Sequence, residues 1–288
     1  MYQQEITRRR RTAFVIAVDQ SLSMCERTEW QYSRGQTLTK AEAVARAVNE
    51  LLCELENRAR REEGVCDYFD VAVVGYGDGR VERLLDDGRD FVPVSELRLC
   101  DHVRRKYVVG RTTRSGEHIF AEEYLDEWIE ADAVGSTPMY EALWEIRNMV
   151  RRWCSDPRNA DSFPPVVINI TDGGASDCNE KELLHVCDEI RHLGTSDGCV
   201  LLMNIHITTG DTHAAKIFPT AAEIEGEDRC ARLLAQCSSV MPPVFDRLIG
   251  LSRKDDVAPP YLAMGYNTAP KDIFSLLNIG SRSVTGIR

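Results

Sequence analysis

The sequence predicts an α/β protein in which a mostly parallel central sheet is flanked by helices on both faces. Two observations predict this doubly wound arrangement. Short apolar runs alternate along the chain with longer segments in which apolar residues recur at helical spacing. Each run is apolar at consecutive positions, as is typical of parallel strands whose two faces are both buried. Helices must then cover both faces of the sheet.

The beginning of the chain predicts one core strand and one long helix. The run 13–18 is short, apolar and bounded by polar residues, which favours a buried strand. Residues 24–38 are polar and irregular, and we expect a loop there. Thr39 and Glu42 have the spacing of a capping box, which satisfies two free backbone donors at a helix start. We expect this helix to run from Thr39 to Gly64, because glycine commonly follows a helix end.

The next part of the chain predicts a second core strand and an insertion. The nearly continuous apolar run 68–76 favours a strand, and residues 81–85 are expected to pair back on it after a glycine-containing turn. Residues 86–127 mix short apolar runs with charges and predict a variable insertion. Within this insertion we expect a short strand at 107–109 and a weak helix near 119–125.

The second half of the chain repeats the alternation of helices and strands. Pro138 can occupy the first turn of a helix because no donor is needed there. The elements expected here are a helix from Pro138 to about residue 154, a core strand over 166–171, a helix over 179–193, a core strand over 199–207, and helices over 225–237, 244–251 and 270–277. We therefore expect a single domain over residues 1–288, with its core at about 12–240, the insertion at 86–127 and a helical C-terminal extension at about 241–288.

Charge and composition exclude several classes of function. The formal net charge of −11 disfavours nonspecific binding to nucleic acid, whose phosphates require a basic surface. Arg8 to Arg11 form the one basic cluster near a terminus; it could contact phosphates or an acidic partner, but we favour a solvated lead-in to the first strand. No apolar stretch approaches the roughly 20 residues that cross a bilayer.

The expected location is cytoplasmic. No apolar run near the N-terminus is followed by a small-residue cleavage site, so we expect no secretion signal. The ten cysteines include no Cys-x-x-Cys pair and no cluster with zinc-ligand spacing. Several have apolar neighbours, which favours reduced thiols that pack as small apolar side chains over a disulfide framework.

Five polar residues from three segments predict a metal site. Asp19, Ser21 and Ser23 follow the first core strand, Thr137 precedes a predicted helix, and Asp172 follows the strand at 166–171. In an open α/β sheet, loops at the carboxyl ends of the strands meet at one edge, where ligands bind. Two carboxylates and three hydroxyls suit a hard cation that prefers oxygen ligands. Mg²⁺ is the expected ion, with Mn²⁺ or Ca²⁺ as alternatives.

Each of the three segments alone has a simpler interpretation. Asp and Ser favour turns because they hydrogen-bond to local backbone groups. Thr137 could cap the helix at Pro138, and Asp172 with Gly173 could form an ordinary turn. The three segments together, each at a strand end or a helix start, favour the metal site over these interpretations.

The same residues resemble a known family. Asp-Gln-Ser-Leu-Ser after an apolar strand, Gly-Ser-Thr-Pro and Thr-Asp-Gly resemble, in this order, the metal-ion-dependent adhesion site (MIDAS) of von Willebrand factor A (VWA) domains, which have a Rossmann-like fold. The resemblance covers about residues 13–210 and looks most like bacterial intracellular, TerY-like members. It implies that Ser21 and Ser23 ligate the metal directly, that Thr137 does so in the ligand-bound state, and that Asp19 and Asp172 act through water or hydrogen bonds. A carboxylate from a partner protein would take the remaining position.

The expected function is therefore a non-catalytic, protein-binding module in a bacterial stress-response or signalling system. Its partner would be a protein that offers Asp or Glu to the metal, with a kinase, a phosphatase or an AAA+ ATPase encoded nearby as candidates. We expect neither a nucleic acid nor a membrane as partner. Two alternatives stay open: a metal-dependent hydrolase or phosphatase on the same fold, and a scaffold with no functional metal.

Overall fold

The computed structural model describes residues 2–33, 36–86, 88–112, 118–209 and 214–268. The predicted helix at 270–277 therefore lies outside the described residues. The described strands, in chain order, are β1 (Thr12–Asp19), β2 (Arg27–Ser33), β3 (Gln36–Thr39), β4 (Arg60–Arg61), β5 (Gly64–Val65), β6 (Phe69–Gly77), β7 (Arg80–Arg83), β8 (Val92–Pro93), β9 (Val103–Thr112), β10 (His118–Glu127), β11 (Val166–Thr171), β12 (Gly194–Thr195), β13 (Gly198–Cys199), β14 (Leu201–His206), β15 (Lys216–Ile217) and β16 (Met264–Tyr266).

The described α-helices are α1 (Lys40–Ala59), α2 (Met139–Ser155), α3 (Glu180–His192), α4 (Ala221–Ile224), α5 (Arg229–Cys237) and α6 (Asp246–Arg253). Short 3-10 helices cover Leu22–Cys25, Val94–Leu99, Pro157–Asn159 and Pro243–Phe245. The capping box predicted at the start of α1 is present, with Thr39 as the N-cap and Glu42 as its partner. A second box, formed by Asn179 and Glu182, starts α3. Both helices therefore begin where their local sequence provides partners for free backbone donors.

Eight of the described strands form one central sheet in the order β15, β16, β14, β11, β1, β6, β7, and β8 also pairs with β6. The strands β16, β14, β11, β1 and β6 are parallel to one another. At the edges, β15 pairs antiparallel with β16, and β7 and β8 pair antiparallel with β6. In register, Val18 of β1 lies between Ile170 of β11 and Gly75 of β6. The carboxyl ends of β1, β6 and β11 therefore lie side by side. The predicted mixed α/β sheet is confirmed.

Two apolar layers cover the two faces of the sheet. Along β1, Phe14 and Ile16 pack in one layer with α1 and α6, whereas Val15 and Ala17 pack in the other layer with α2, α3 and α5. Every residue of β1 is buried. This double burial explains why the strand is apolar at consecutive positions.

Two predictions around α1 are wrong. Residues 24–38 are not simply a loop: they include the end of the short helix Leu22–Cys25 and most of the antiparallel hairpin of β2 and β3. Alternation of Thr28, Trp30 and Tyr32 with polar residues is the strand signal that the prediction missed. The helix also ends at Ala59 rather than near Gly64, because the chain turns back and pairs β4 with β5.

The insertion at 86–127 is more regular than predicted. Its expected helix near 119–125 is wrong, because these residues lie in β10, which pairs along its whole length with β9. Cross-strand charge pairs, such as the 2.7 Å contact between Arg105 and Glu127, stabilise this hairpin. The insertion also contributes to the central sheet, since Val92 in β8 pairs with Val71 in β6.

The C-terminal part also departs from the prediction. Helix α6 confirms the expected helical segment at 244–251, but β16 then returns to the central sheet and pairs parallel with β14. The sheet therefore extends past residue 240, where the predicted core ended. The assignment of the chain to a single domain stays a prediction.

The composition led to expectations about the cysteines and about membrane-spanning segments. All ten cysteines are free thiols, and Cys66, Cys187 and Cys237 are buried. Within the described ranges, no helix has both the length and the apolar character that a membrane span requires.

Candidate metal-binding site

The candidate site lies where β1 and β11 end beside each other. Asp19 is the last residue of β1, and Thr171 is the last residue of β11, followed directly by Asp172. Ser21 follows shortly after Asp19 and occupies the N-cap position of the short helix Leu22–Cys25, which contains Ser23, but its side chain makes no capping hydrogen bond. The parallel pairing of β1 with β11 thus brings residues about 150 positions apart to one edge of the sheet.

A chain of hydrogen bonds joins four of the five predicted residues. Asp19 accepts from the Ser21 backbone at 2.8 Å. The Ser21 and Ser23 hydroxyl oxygens are 3.2 Å apart, and the Ser23 hydroxyl donates to Asp172 at 2.8 Å. The second oxygen of Asp19 accepts from the Thr171 hydroxyl at 2.6 Å. Thr171, which the sequence did not single out, therefore orients the buried carboxylate of Asp19.

Thr137 reaches the same edge through its backbone. Within the loop that contains it, the Gly135 carbonyl accepts from the Leu22 amide at 3.1 Å. The Thr137 amide donates to the Ser176 hydroxyl at 2.9 Å, and the Thr137 carbonyl accepts from the Ser176 amide at 3.0 Å. Thr137 is thus held between the loop after β1 and the loop after β11.

The Thr137 hydroxyl does not cap α2. The N-cap residue is Pro138, and the carboxylate of Asp177 accepts from the amides of Tyr140 and Glu141 at 3.1 and 2.9 Å. No hydrogen bond joins the Thr137 hydroxyl to another residue of the described ranges. The capping interpretation of Thr137 is therefore wrong, and its hydroxyl is available to a ligand.

Close backbone approach at this edge requires a glycine. Gly135 has a φ of +63°, and a Cβ there would lie 2.6 Å from the Asp78 Cα atom. A larger residue would therefore be strained and would separate the loop of Thr137 from the turn after β6.

Lys40 is the main residue of the site that the sequence reasoning missed. Its ammonium lies 2.9 Å from Asp172 and 2.6 Å from Glu26, although only 6% of its side chain is exposed. Lys40 is the first residue of α1, whose start was predicted. The sequence could therefore have indicated Lys40, because the helix that follows β1 is expected to begin near the edge of the sheet where β1 ends.

The charges of the site are strongly influenced by burial. Burial raises the pKa of Asp19, and the hydrogen bonds from Ser21 and Thr171 offset this only in part. Burial acts to lower the pKa of Lys40, but its contacts with Glu26 and Asp172 outweigh this and raise it. Lys40 is therefore a fixed cation beside Asp172 at neutral pH.

The donor set and spacing fit a small hard cation. Neighbouring oxygen ligands of octahedral Mg²⁺, at about 2.0–2.1 Å from the ion, are about 3 Å apart. The separation of the Ser21 and Ser23 hydroxyls is 3.2 Å, and that of Ser23 and Asp172 oxygens is 2.8 Å. No group of three or more His, Cys, Asp or Glu side chains in the described ranges forms a metal cluster. Hydroxyls would therefore have to supply much of the coordination at this site.

His206 lies on the strand next to the site. It is in register with Thr171 and stacks on the Tyr266 ring at a centroid distance of 5.4 Å. Burial lowers its pKa, so that the ring is neutral at pH 7. Its Nδ1 is buried and has no hydrogen-bond partner among the described residues.

The comparisons with known proteins give similarity of structure only. No protein-family model matches the chain, and no curated protein matches it. A von Willebrand factor type A protein from Catenulispora acidiphila superposes with a TM-score of 0.48 at 12% identity, covering 96% of this chain and 43% of that protein.

Two further solved structures come from pilus proteins. The vWF domain of the type V pili tip protein Mfa5 from Porphyromonas gingivalis has a TM-score of 0.32 at 16% identity, covering 58% of this chain and 39% of that one. The PilB minor pilin from Streptococcus sanguinis has a TM-score of 0.36 at 10% identity, covering 68% and 50%. The chain spans half or less of the length of each of these three proteins. The functional proposal therefore rests on the geometry of the site.

Proposed function

We propose that this chain is a non-catalytic protein-interaction module that binds a divalent cation at Asp19, Ser21, Ser23, Thr137 and Asp172. The cation, Mg²⁺ in the first instance, would capture an Asp or Glu side chain of a partner protein. The observation that carries the proposal is the hydrogen-bonded chain from Asp19 through Ser21 and Ser23 to Asp172. In this chain, the oxygens of Ser21 and Ser23 and those of Ser23 and Asp172 have the spacing of neighbouring metal ligands.

The roles of the residues follow from their surroundings. Ser21 and Ser23 present hydroxyl oxygens from one turn, and Thr137 presents a hydroxyl that makes no other hydrogen bond with described residues. Asp19 is buried and held by Thr171, which suits a residue that orients the serines and balances charge. A bound cation would supply a Lewis-acidic position for an external carboxylate. Neutral hydroxyls leave such a cation with unbalanced charge, and this favours an anionic partner.

The resemblance to VWA domains and their TerY-like members supports a wider proposal. The protein would act in the cytoplasm of a bacterium, in a stress-response or signalling system. Its partner would be a kinase, a phosphatase or an AAA+ ATPase that displays an acidic residue.

One observation favours a rival function, a scaffold with no functional metal. The Lys40 ammonium already supplies a positive charge to Asp172 at 2.9 Å. In the scaffold, Lys40 would replace the cation and the site would be structural. We favour the interaction module because Lys40 donates to Glu26 and Asp172 and not to Ser21 or Ser23, so its charge does not occupy the hydroxyl ligands.

Calorimetric titration with Mg²⁺ and Mn²⁺ tests the proposal. The wild type should bind one ion, and Thr137→Ala should weaken the binding about tenfold or more, because one direct ligand is lost. Ser136→Ala removes an exposed neighbouring hydroxyl of the same loop and should leave the affinity unchanged. Absence of binding at millimolar Mg²⁺ would favour the metal-free scaffold.

The capture of a carboxylate is tested separately on the Mn²⁺-loaded protein. Acetate should displace a metal-bound water and lower the water-proton relaxation enhancement, whereas acetamide should not. If both additives leave the relaxation unchanged while Mn²⁺ binds, the cation is structural and the capture function is wrong.

A further inference from the structure

A second concave surface lies at the opposite edge of the sheet from the candidate metal site. It has a volume of about 690 Å³ and lies near the amino ends of β1 and β6, against the last turns of α2. This volume is within the range of small-molecule sites in proteins, roughly 300–1,000 Å³. The proposed metal function makes no use of this surface.

Arginines from three separate segments line this cavity. Arg8, Arg9 and Arg11 come from the basic cluster before β1, Arg152 comes from α2, and Arg158 comes from the helix Pro157–Asn159. The basic cluster is exposed from Arg8 to Arg10, and folding brings it beside two arginines about 145 positions away. Five arginines and three aspartates line the cavity, an excess of two positive charges in a chain of net charge −11.

The three aspartates of the cavity are already engaged. Asp70 is bound by Arg11 and by the Trp153 indole, each at 2.9 Å. Asp90 accepts from Arg83 and Arg152, at 2.9 and 2.6 Å.

Arg158 donates from Nε to Oδ1 of Asp156 at 3.0 Å and from Nη2 to Oδ2 at 2.5 Å, so that both carboxylate oxygens are engaged. The hydrogen bonds from Arg158, together with the charge of Arg11, hold the pKa of Asp156 at about 2. Asp156 is therefore ionised at pH 7. The contacts of Asp70, Asp90 and Asp156 hold the guanidinium groups of Arg11, Arg152 and Arg158 in place.

Donors of the arginines remain available after these contacts. Arg152 uses only its Nε atom on Asp90, and Arg158 uses Nε and one Nη atom on Asp156. Arg9 makes no ion pair with any residue in the described ranges, and it is exposed. Guanidinium groups bind phosphate oxygens in a planar, often bidentate geometry.

The floor of the cavity is partly apolar. Phe91 and Pro93 contribute from the segment around β8, and Met149 contributes from α2. A floor of this kind can cover the apolar part of a ligand while the arginines bind its anionic part.

We propose that this cavity binds a small molecule that carries clustered phosphate groups. Arg9, Arg152 and Arg158 supply free donors to the phosphates, and the aspartates position them. The ligand chemistry is common to inorganic polyphosphate and to nucleotides. The site is independent of the candidate metal site, because no residue belongs to both.

Calorimetric titration with tripolyphosphate, in about 150 mM salt and EDTA, tests the proposal without any contribution from bound metal. The wild type should bind one molecule, and Arg9→Gln and Arg158→Gln should each weaken the binding about fivefold or more. The matched control is Arg10→Gln. It removes the same charge from the next residue in the chain, and Arg10 does not line the cavity. This control should change the affinity less than twofold.

A change in the opposite direction provides a second test. Asp156→Asn removes a negative charge and releases Arg158, so tripolyphosphate should bind more tightly. If ATP binds with the same affinity as tripolyphosphate, the cavity recognises the phosphates alone. If ATP binds more tightly, its base also contacts the apolar floor.

Three outcomes would overturn the inference. They are absence of tripolyphosphate binding to the wild type, equal losses in Arg9→Gln and Arg10→Gln, and binding of a phosphopeptide without binding of tripolyphosphate. Arg9, Arg10 and Arg158 are exposed, whereas Asp156 is half-buried and caps the helix Pro157–Asn159. A thermal unfolding curve equal to that of the wild type therefore accompanies each measurement.

Discussion

At the scale of single residues, Lys40 determines the charge of the candidate metal site. Its ammonium contacts Glu26 and Asp172, and almost all of its side chain is buried. A positive charge beside a proposed ligand opposes the binding of a divalent cation. The same charge compensates the burial of Asp172 when no cation is bound. We therefore expect Lys40 to weaken any binding of a metal at the candidate site.

Replacing Lys40 with methionine should separate these two effects. Lys40→Met should tighten Mn²⁺ binding at least about fivefold, because a repelling charge is removed. Without metal, it should lower the free energy of unfolding by about 2 kcal/mol, because Asp172 is left buried without its cation. Calorimetric titration and urea unfolding measure the two quantities.

The control is Lys181→Met, which alters an exposed lysine in the first turn of α3 and should change neither quantity. Unchanged Mn²⁺ affinity in Lys40→Met would mean that Lys40 does not act on the metal site.

At the scale of elements, ion pairs attach the C-terminal helices to each other. Arg253, in the last turn of α6, contacts Glu223 of α4 at 2.7 Å and is itself 5% exposed. It also donates to the Phe218 carbonyl at 2.7 Å. Partial burial acts to raise the pKa of Glu223, but the hydrogen bonds from Arg253 and Thr220 outweigh it and lower the pKa.

This lowered pKa predicts a pH dependence of stability. A carboxyl group whose pKa is lower in the folded state adds stability above its unfolded pKa, near 4.3 for glutamate, and loses it as the pH falls through the folded value. Glu223→Gln should therefore be about 1 kcal/mol less stable than the wild type at pH 7. The difference should shrink below about pH 4. Urea unfolding at both pH values measures it, and a difference independent of pH would contradict the prediction.

At the scale of the whole molecule, a buried polar network crosses the central sheet. The Tyr76 hydroxyl of β6 donates to Asn169 of β11 at 2.7 Å, and it passes β1 where the side chain is the small Ala17. Asn169 donates to Asn204 of β14 at 3.0 Å, and Asn204 donates to Ser238 after α5 at 3.0 Å. The network therefore fixes four segments relative to one another, just below the edge that carries the candidate site.

Disruption at the centre of this network should be costly. Asn169→Leu should lower the free energy of unfolding by about 2–4 kcal/mol, because Tyr76 and Asn204 each lose a partner in a buried environment. Tyr76→Phe removes one bond only, and we expect a loss of about 1 kcal/mol. Urea unfolding of both variants measures the losses, and wild-type stability of Asn169→Leu would show that the network contributes nothing.

Much of the fold and part of the site could be predicted because their signals are local. Consecutive apolar residues in 13–18 and 166–171 identify strands buried on both faces, and the capping boxes at Thr39 and Asn179 mark helix starts. The rule that parallel strands end at one edge then placed Asp19 and Asp172 together.

Other features depend on pairing between distant segments. The hairpin of β9 and β10 was predicted in part as a helix, because local preference is overridden by a partner strand. Likewise, β16 joins the sheet only because β14 offers it a free edge.

The sequence by itself determined the order of the main strands and helices and the oxygen-rich composition of the candidate metal site. Both depend on patterns within a few residues. Only the tertiary structure decided that Lys40 neutralises Asp172, that Asp177 rather than Thr137 caps α2, and that the arginines before β1 meet Arg152 and Arg158. Each of these contacts joins residues far apart in the chain, and their approach is set by the packing of the whole sheet and its helices.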